Sequence, residues 1–147
     1  MSDFTCTDGA VFHDAAHVLE FVFAGKALIT LKSLRTQRHF TFKVNKGKKG
    51  DAYFVSVLHD HGEYVYLGMI SNDRTQLFHT RKSFFPFSNE RFAAFRFFLD
   101  QLVGKNTIPS TLEVRHNGRC GKCSRVLTHP ESIDRGIGPE CWNKLTA

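Results

Sequence analysis

Residues 26–44, KALITLKSLRTQRHFTFKV, decide how this chain folds. Phe40, Phe42 and Val44 alternate with Thr41 and Lys43, and Ile29 and Leu31 alternate with Thr30 and Lys32. A period of two buries one face of an extended chain and leaves the other to water. The stretch therefore reads as a β-hairpin, with the polar residues 35–38 as its connection. The same alternation sends Lys32 and Lys43 away from the aromatic side. Further along, residues 52–58 and 64–70 repeat the pattern as a second hairpin, whose turn at 59–63 carries Asp60 and Gly62. Residues 45–51, with two Gly and three Lys, read as a flexible loop between the hairpins. A further short strand is expected within 76–80. Residues 83–87 read as a connection, because Pro86 has no amide donor and holds Phe85 extended.

Two helices flank these strands. Residues 13–23 place Ala16, Leu19 and Phe23 on one side with Val22 nearby; Asp14 suits the positive helix start and Gly25 can stop it. A second helix is expected from an N-cap at Ser88 to about Val103, with Gly104 as its stop. Phe92, Phe95, Phe98, Leu99 and Leu102 fall on one face at helical spacing, which reads as a core stripe rather than a base-stacking platform.

Composition supports a folded protein. The chain has 147 residues, 41% apolar and 23% charged, enough to bury a core without cross-links. Fifteen Phe make that core aromatic, and a net charge of +6 favours anionic partners. There is no run of 18 apolar residues to span a membrane. The opening MSDFTCTDGA lacks the basic-then-apolar pattern of a secretory signal, so an intracellular, reducing setting is expected. In such a setting closely spaced cysteines are more often metal ligands than disulfides.

After Gly104 the character changes. Residues 105–110 read as a linker and 112–116 as a strand. From 117 onward the large apolar residues are Val126, Leu127, Ile133, Ile137, Trp142 and Leu145. So small a set needs a staple. Cys120-Gly-Lys-Cys123 aims two sulfurs at one ion from a tight turn, with Gly121 relieving crowding. Cys141 follows Cys123 after 17 intervening residues, behind Gly136-Ile-Gly-Pro-Glu140, where Pro139 suits a helix start. Tetrahedral zinc takes four ligands. The fourth is expected from His116; His129, Cys6, another group or a water are the alternatives. A redox pair would sit at a helix start, whereas this pair is set among Gly, Lys, Arg and Ser.

These residues also carry a resemblance. Gly118-Arg-Cys-Gly-Lys-Cys-Ser-Arg-Val-Leu-Thr128, Pro130-Glu-Ser-Ile133 and Gly136-Ile-Gly-Pro-Glu-Cys141 resemble the C-terminal signature of a phage- and prophage-encoded family of unknown function, whose cysteine-rich finger ends in a GIGPxC box. Looser similarity extends upstream through Ala24-Gly-Lys-Ala27, Tyr53-Phe-Val-Ser-Val57, Tyr64-Val-Tyr-Leu-Gly68 and Ala94-Phe95. The resemblance implies a small bacteriophage accessory protein with a zinc finger, acting in the bacterial host cytoplasm. The usual family form has Gly where this chain has Ser124. The finger resembles a treble clef: a cysteine turn, an irregular hairpin, then a ligand at a helix start.

Between Lys26 and Lys49 there are eight Lys or Arg and no Asp or Glu. Clustered cations attract phosphates without reading sequence. Lys32, Arg35, Arg38, Lys43, Lys46, Lys48 and Lys49 are therefore the candidate nucleic-acid contacts, to which the finger adds Arg115, Arg119, Lys122, Arg125 and Arg135. His59-Asp-His61 reads as a solvated turn, and Ser83 and Ser132 have no adjacent base, so no catalytic set is assigned. The expectation is an α+β protein: residues 1–104 a small antiparallel sheet with a Phe-rich helix packed on it, and residues 105–147 a treble-clef-like zinc finger. The expected function is non-catalytic: zinc holds the finger, and basic residues contact DNA or RNA. The rival is a module that binds a bacterial host protein through Phe84, Phe85 and Phe87.

Overall fold

A computed structural model describes residues 11–48, 52–59, 62–127 and 130–146. The architecture is α+β, built on one antiparallel six-stranded sheet in the order β5-β4-β3-β2-β1-β6. The strands are β1 (Lys26–Ser33), β2 (His39–Lys46), β3 (Ala52–Leu58), β4 (Tyr64–Ser71), β5 (Leu77–Phe78) and β6 (Leu112–His116). The first five form a meander. β6 returns to the far edge, where Ile29 pairs with His116 and Leu31 with Val114. The strand expected at 112–116 thus extends the N-terminal sheet. Residues 49–51, in the expected loop, and 60–61, in the expected turn, lie outside the described residues; Asn45 and Lys46 of that loop belong to β2.

The alternation read in the sequence sets the register. Ala27, Ile29, Leu31, Phe42, Val44, Tyr53, Val55 and Val57 face inward and are buried. Lys43 pairs with Leu28 on one side and Ser56 on the other, on the opposite face. A bulge after Val55 pairs Val55 with Gly68 and Ser56 with Tyr66, leaving Leu67 as the extra residue.

Two helices cover the inner face. α2 (Glu90–Lys105) buries Phe92, Phe95, Phe98, Leu99 and Leu102, the stripe its spacing predicts. Its N-cap is Asn89 rather than Ser88: the Asn89 side chain accepts from the Arg91 amide at 2.8 Å. Gly104 does not end it; the helix continues to Lys105 and stops at Asn106, which adopts the left-handed conformation that Asn tolerates. α1 (Ala15–Val22) is capped by Asp14, which accepts from the Ala16 amide at 2.8 Å. Its buried side chains are Val18, Phe21 and Val22, whereas Ala16 is exposed. The core side is therefore rotated from the expected one, because Phe21 is drawn towards the C-terminal segment. There it meets Phe12 at 5.2 Å and His116 at 5.5 Å between ring centroids.

Two further helices follow β6, α3 (Pro130–Arg135) and α4 (Pro139–Thr146). Ala24, Cys120, Leu127 and Ile137 form a second small core, with Ile133, Cys141 and Trp142 at its edge. That core rests on α1 and on the start of β1. The Lys26 amide donates to the Gly121 carbonyl at 2.6 Å, and Trp142 meets His17 edge-on.

Candidate metal centre and basic cleft

The C-terminal segment brings its three cysteines together. Arg119 and Val126 form an isolated antiparallel bridge, and the Cys120 amide donates to the Arg125 carbonyl at 2.9 Å. Within that tight loop the Ser124 amide donates to the Cys120 carbonyl at 2.9 Å, which folds Cys123 back beside Cys120. Ser124 has φ of 66°, a left-handed conformation that an L-residue adopts at a cost and glycine adopts freely. This explains why glycine suits that position. Cys141 lies in the first turn of α4, after Pro139.

The Sγ atoms of Cys120, Cys123 and Cys141 all lie within 4.8 Å of one another. A tetrahedral site with metal–sulfur bonds of about 2.3 Å sets sulfurs about 3.8 Å apart, so small side-chain adjustments complete three corners. The electrostatics agree. Burial pushes the Cys120 thiol up, but N–H donors from Gly138, Cys123 and Lys122 outweigh it and hold the group below its ordinary value. One of these is the Lys122 amide, 3.3 Å from the sulfur. Burial, then the hydrogen bonds and charges of Cys123 and Cys120, push the Cys141 thiol up to about 12. Three thiolates this close repel one another, and a divalent cation among them removes that penalty. The donor set thus fits a metal ion.

His116 is not among the groups that converge on this site. Its ring is 3% exposed and both nitrogens are engaged elsewhere. Nδ1 accepts from the Gly118 amide at 2.9 Å, so Nε2 carries the proton and donates to the Ile133 carbonyl at 2.6 Å. Burial pushes the imidazole pKa down, against the opposing effects of the Ile133 bond and Asp134. His116 is therefore a neutral clamp between β6, the cysteine loop and α3. His129 and Cys6 lie outside the described residues.

Packing explains the glycines of the loop. A Cβ on Gly121 would lie 2.7 Å from Phe21 Cδ1 and 3.0 Å from the Phe21 carbonyl oxygen. On Gly136, with φ of 74°, it would lie 2.6 Å from the same ring and 2.9 Å from Phe12. Phe21 is wedged between two glycines of the cysteine segment. The sequence offers only the crowding of the turn itself as a reason for Gly121.

The candidate basic residues do not form one patch. β2 is eight residues long, so its two ends are about 24 Å apart at ~3.4 Å per residue. Arg35 and Arg38 lie at one end, and Lys46 and Lys48 at the other; Lys49 lies outside the described residues. Arg38 is paired with Glu90 at 2.7 Å. Lys32 and Lys43 share the outer sheet face, and Lys32 faces Glu113 across β6. Lys43 joins Lys26 and Arg119 in lining a cleft of about 310 Å3 where the first hairpin meets the cysteine loop, with Asn45, Asn117 and Ser124. Among the described residues no carboxylate lines that cleft. The pairing of Lys26 and Lys43 with Arg119, 76 residues beyond Lys43, is visible only in three dimensions. Arg35 and Arg38 do not line it.

A second cleft, of about 370 Å3, borders the cysteines themselves, between Arg125, Leu127, Glu140 and Lys144. Among the described residues no helix is long and apolar enough to cross a membrane. No curated protein and no solved structure gives a match to the chain. Residues 110–146, from just before β6 to the end of α4, match a family of unknown function, DUF6011, so the segment that carries the cysteines is what this chain shares with it.

Proposed function

We propose that this protein is a non-catalytic zinc-binding module that contacts nucleic acid. Zinc held by Cys120, Cys123 and Cys141 fixes the loop that carries Arg119 beside β1 and β2. The observation that carries the reading is the cleft lined by Lys26, Lys43 and Arg119, with no carboxylate on its walls among the described residues. Lys26 and Arg119, with Lys43 beside them, gather positive charge that a polyanion relieves. The finger reads as a treble clef, with the Cys120–Cys123 turn, the Arg119–Val126 bridge and Cys141 in the first turn of a helix as its parts. A phage-encoded accessory role in the bacterial cytoplasm rests on the resemblance of the cysteine signature.

Titration of labelled DNA and RNA with the zinc-loaded protein tests this. Binding weakens steeply with salt, and each phosphate contact removed flattens the slope of log affinity against log salt by roughly 0.7 to 0.9. Absence of binding to any DNA or RNA at low salt refutes the proposal. The second reading, capture of a host protein, is favoured by Phe84 and Phe87, which are 57% and 54% exposed. Phe85 is not free to join them, because it packs against the core beneath Arg91.

A further inference from the structure

Among the described residues, one face of the sheet is covered by helices and the other is open. Side chains of α1 and α2 join the inward residues of β1–β4 and β6 in one core. On the opposite face the register aligns Asn45 with Phe54, Phe54 with Met69 and Met69 with Phe78, across four adjacent strands. Phe54 and Phe78 are each 42% exposed. In the next row Tyr66 lies opposite Ser56, and Ser56 opposite Lys43. The Tyr66 ring is 6.3 Å from that of Phe54, and the Lys43 ammonium sits 4.0 Å over the Tyr64 ring. Both rows run into the cleft of Lys26, Lys43 and Arg119, because Lys43 and Asn45 line it. An exposed aromatic surface thus continues directly into a basic, amide-lined cleft.

We infer that this outer face, from the cleft across Phe54 and Tyr66 to Phe78, is a path for single-stranded nucleic acid. The inference rests on the nucleic-acid reading above and narrows it. The cations of the cleft hold phosphates, and Asn45, Asn117 and Ser124 offer hydrogen bonds to sugar or base edges. The rings lie under unstacked bases. A duplex hides the faces of its bases within its own stack and gains nothing from Phe54 or Phe78, whereas a single strand exposes them. A purely apolar protein partner satisfies the rings but gives the positive charge at the cleft no counter-charge.

The test is fluorescence anisotropy on the full zinc-loaded chain, with one labelled oligonucleotide offered as a single strand and as its duplex. The single strand binds more tightly. Phe54→Leu and Phe78→Leu keep apolar bulk but remove the stacking face. Each weakens single-strand binding by about fivefold to a hundredfold, the range for loss of one stacked base, and leaves duplex binding within about twofold. Phe54→Tyr retains single-strand binding. Lys43→Gln flattens the salt slope by about 0.7. The side chains changed at 54 and 78 are outside the core, and unchanged melting temperature and zinc content verify the fold. Salt-sensitive binding that ignores both leucine variants, or a duplex bound as tightly as the single strand, overturns this inference and leaves the phosphate-contact reading standing. No binding of either form at low salt overturns both, and a protein partner then becomes the better occupant of the face.

Discussion

Gly121→Ala tests how the cysteine loop is seated. A methyl group at this position meets Phe21 Cδ1 at 2.7 Å, Cε1 at 2.9 Å and the Phe21 carbonyl oxygen at 3.0 Å. Carbon atoms pack at about 3.5–4.0 Å, so the ring or the loop must shift by about 1 Å. Phe21 is fully buried and has little room to give. Overpacking of this kind costs about 1–3 kcal/mol, and the stiffer unfolded chain returns about 0.4–1 kcal/mol. The expected net loss is about 1–2 kcal/mol, or roughly 3–8 °C in melting temperature for a chain of this length. Zinc affinity falls as well, because residue 121 adjoins Cys120. Thermal denaturation of the zinc-loaded protein reads the first effect, and competition with a chromogenic chelator reads the second. Phe21→Leu removes the ring atoms that clash, so the double variant is less destabilised than the sum of the single changes, by about 0.5 kcal/mol or more. Gly121→Ala at wild-type stability, or strict additivity with Phe21→Leu, refutes the wedge between α1 and the cysteine loop.

Three further outcomes follow from the same geometry. His116, whose pKa is lowered mainly by burial, disfavours the charged form in the folded state; its contribution to stability is full above its unfolded value of about 6.5 and is lost as pH falls below it. Nitrogen NMR at pH 7 shows a neutral Nε2–H ring, and a charged or metal-bound ring at that pH contradicts the clamp. Ser124→Gly relieves a left-handed residue costing about 1–2 kcal/mol against about 0.4–1 kcal/mol of added unfolded-state freedom, so it raises stability by up to about 1 kcal/mol in chemical denaturation; a loss of stability contradicts it. Chelation removes amide-exchange protection in residues 117–127 and in α1 together, since Phe21 and the Lys26–Gly121 hydrogen bond join them, while α2 stays protected; full protection of α1 after metal removal contradicts this coupling.

Much of the fold is legible in the sequence because its signals are local. Alternation at Phe40, Phe42 and Val44 and helical spacing from Phe92 to Leu102 depend on neighbours a few residues away. The cysteine cluster is legible for the same reason: a two-residue gap and a glycine-rich approach to Cys141 restrict where the sulfurs can go. What the sequence does not disclose is set by long-range pairing. The return of β6 to β1, the seating of Phe21 between Gly121 and Gly136, and the use of both His116 nitrogens by backbone groups join residues far apart in the chain. Charge misleads for a related reason. The acid-free run looks like one patch along the chain, yet strand geometry sends Arg35 and Lys46 to opposite ends, and Glu90 returns from α2 to neutralise Arg38. Asn89 in place of Ser88 as the N-cap is a one-residue shift that two adjacent capping side chains leave open.

The proposed zinc-binding function requires one zinc ion on Cys120, Cys123 and Cys141. The most direct measurement is elemental analysis of the purified protein beside its Cys120→Ser/Cys123→Ser and Cys141→Ser variants. A zinc-to-protein ratio near one in the wild type is expected, with strong loss in Cys141→Ser and a ratio near zero in the double variant. Full zinc occupancy in the double variant, or wild-type protein purified under reducing conditions that neither carries nor takes up zinc, contradicts zinc binding by these cysteines.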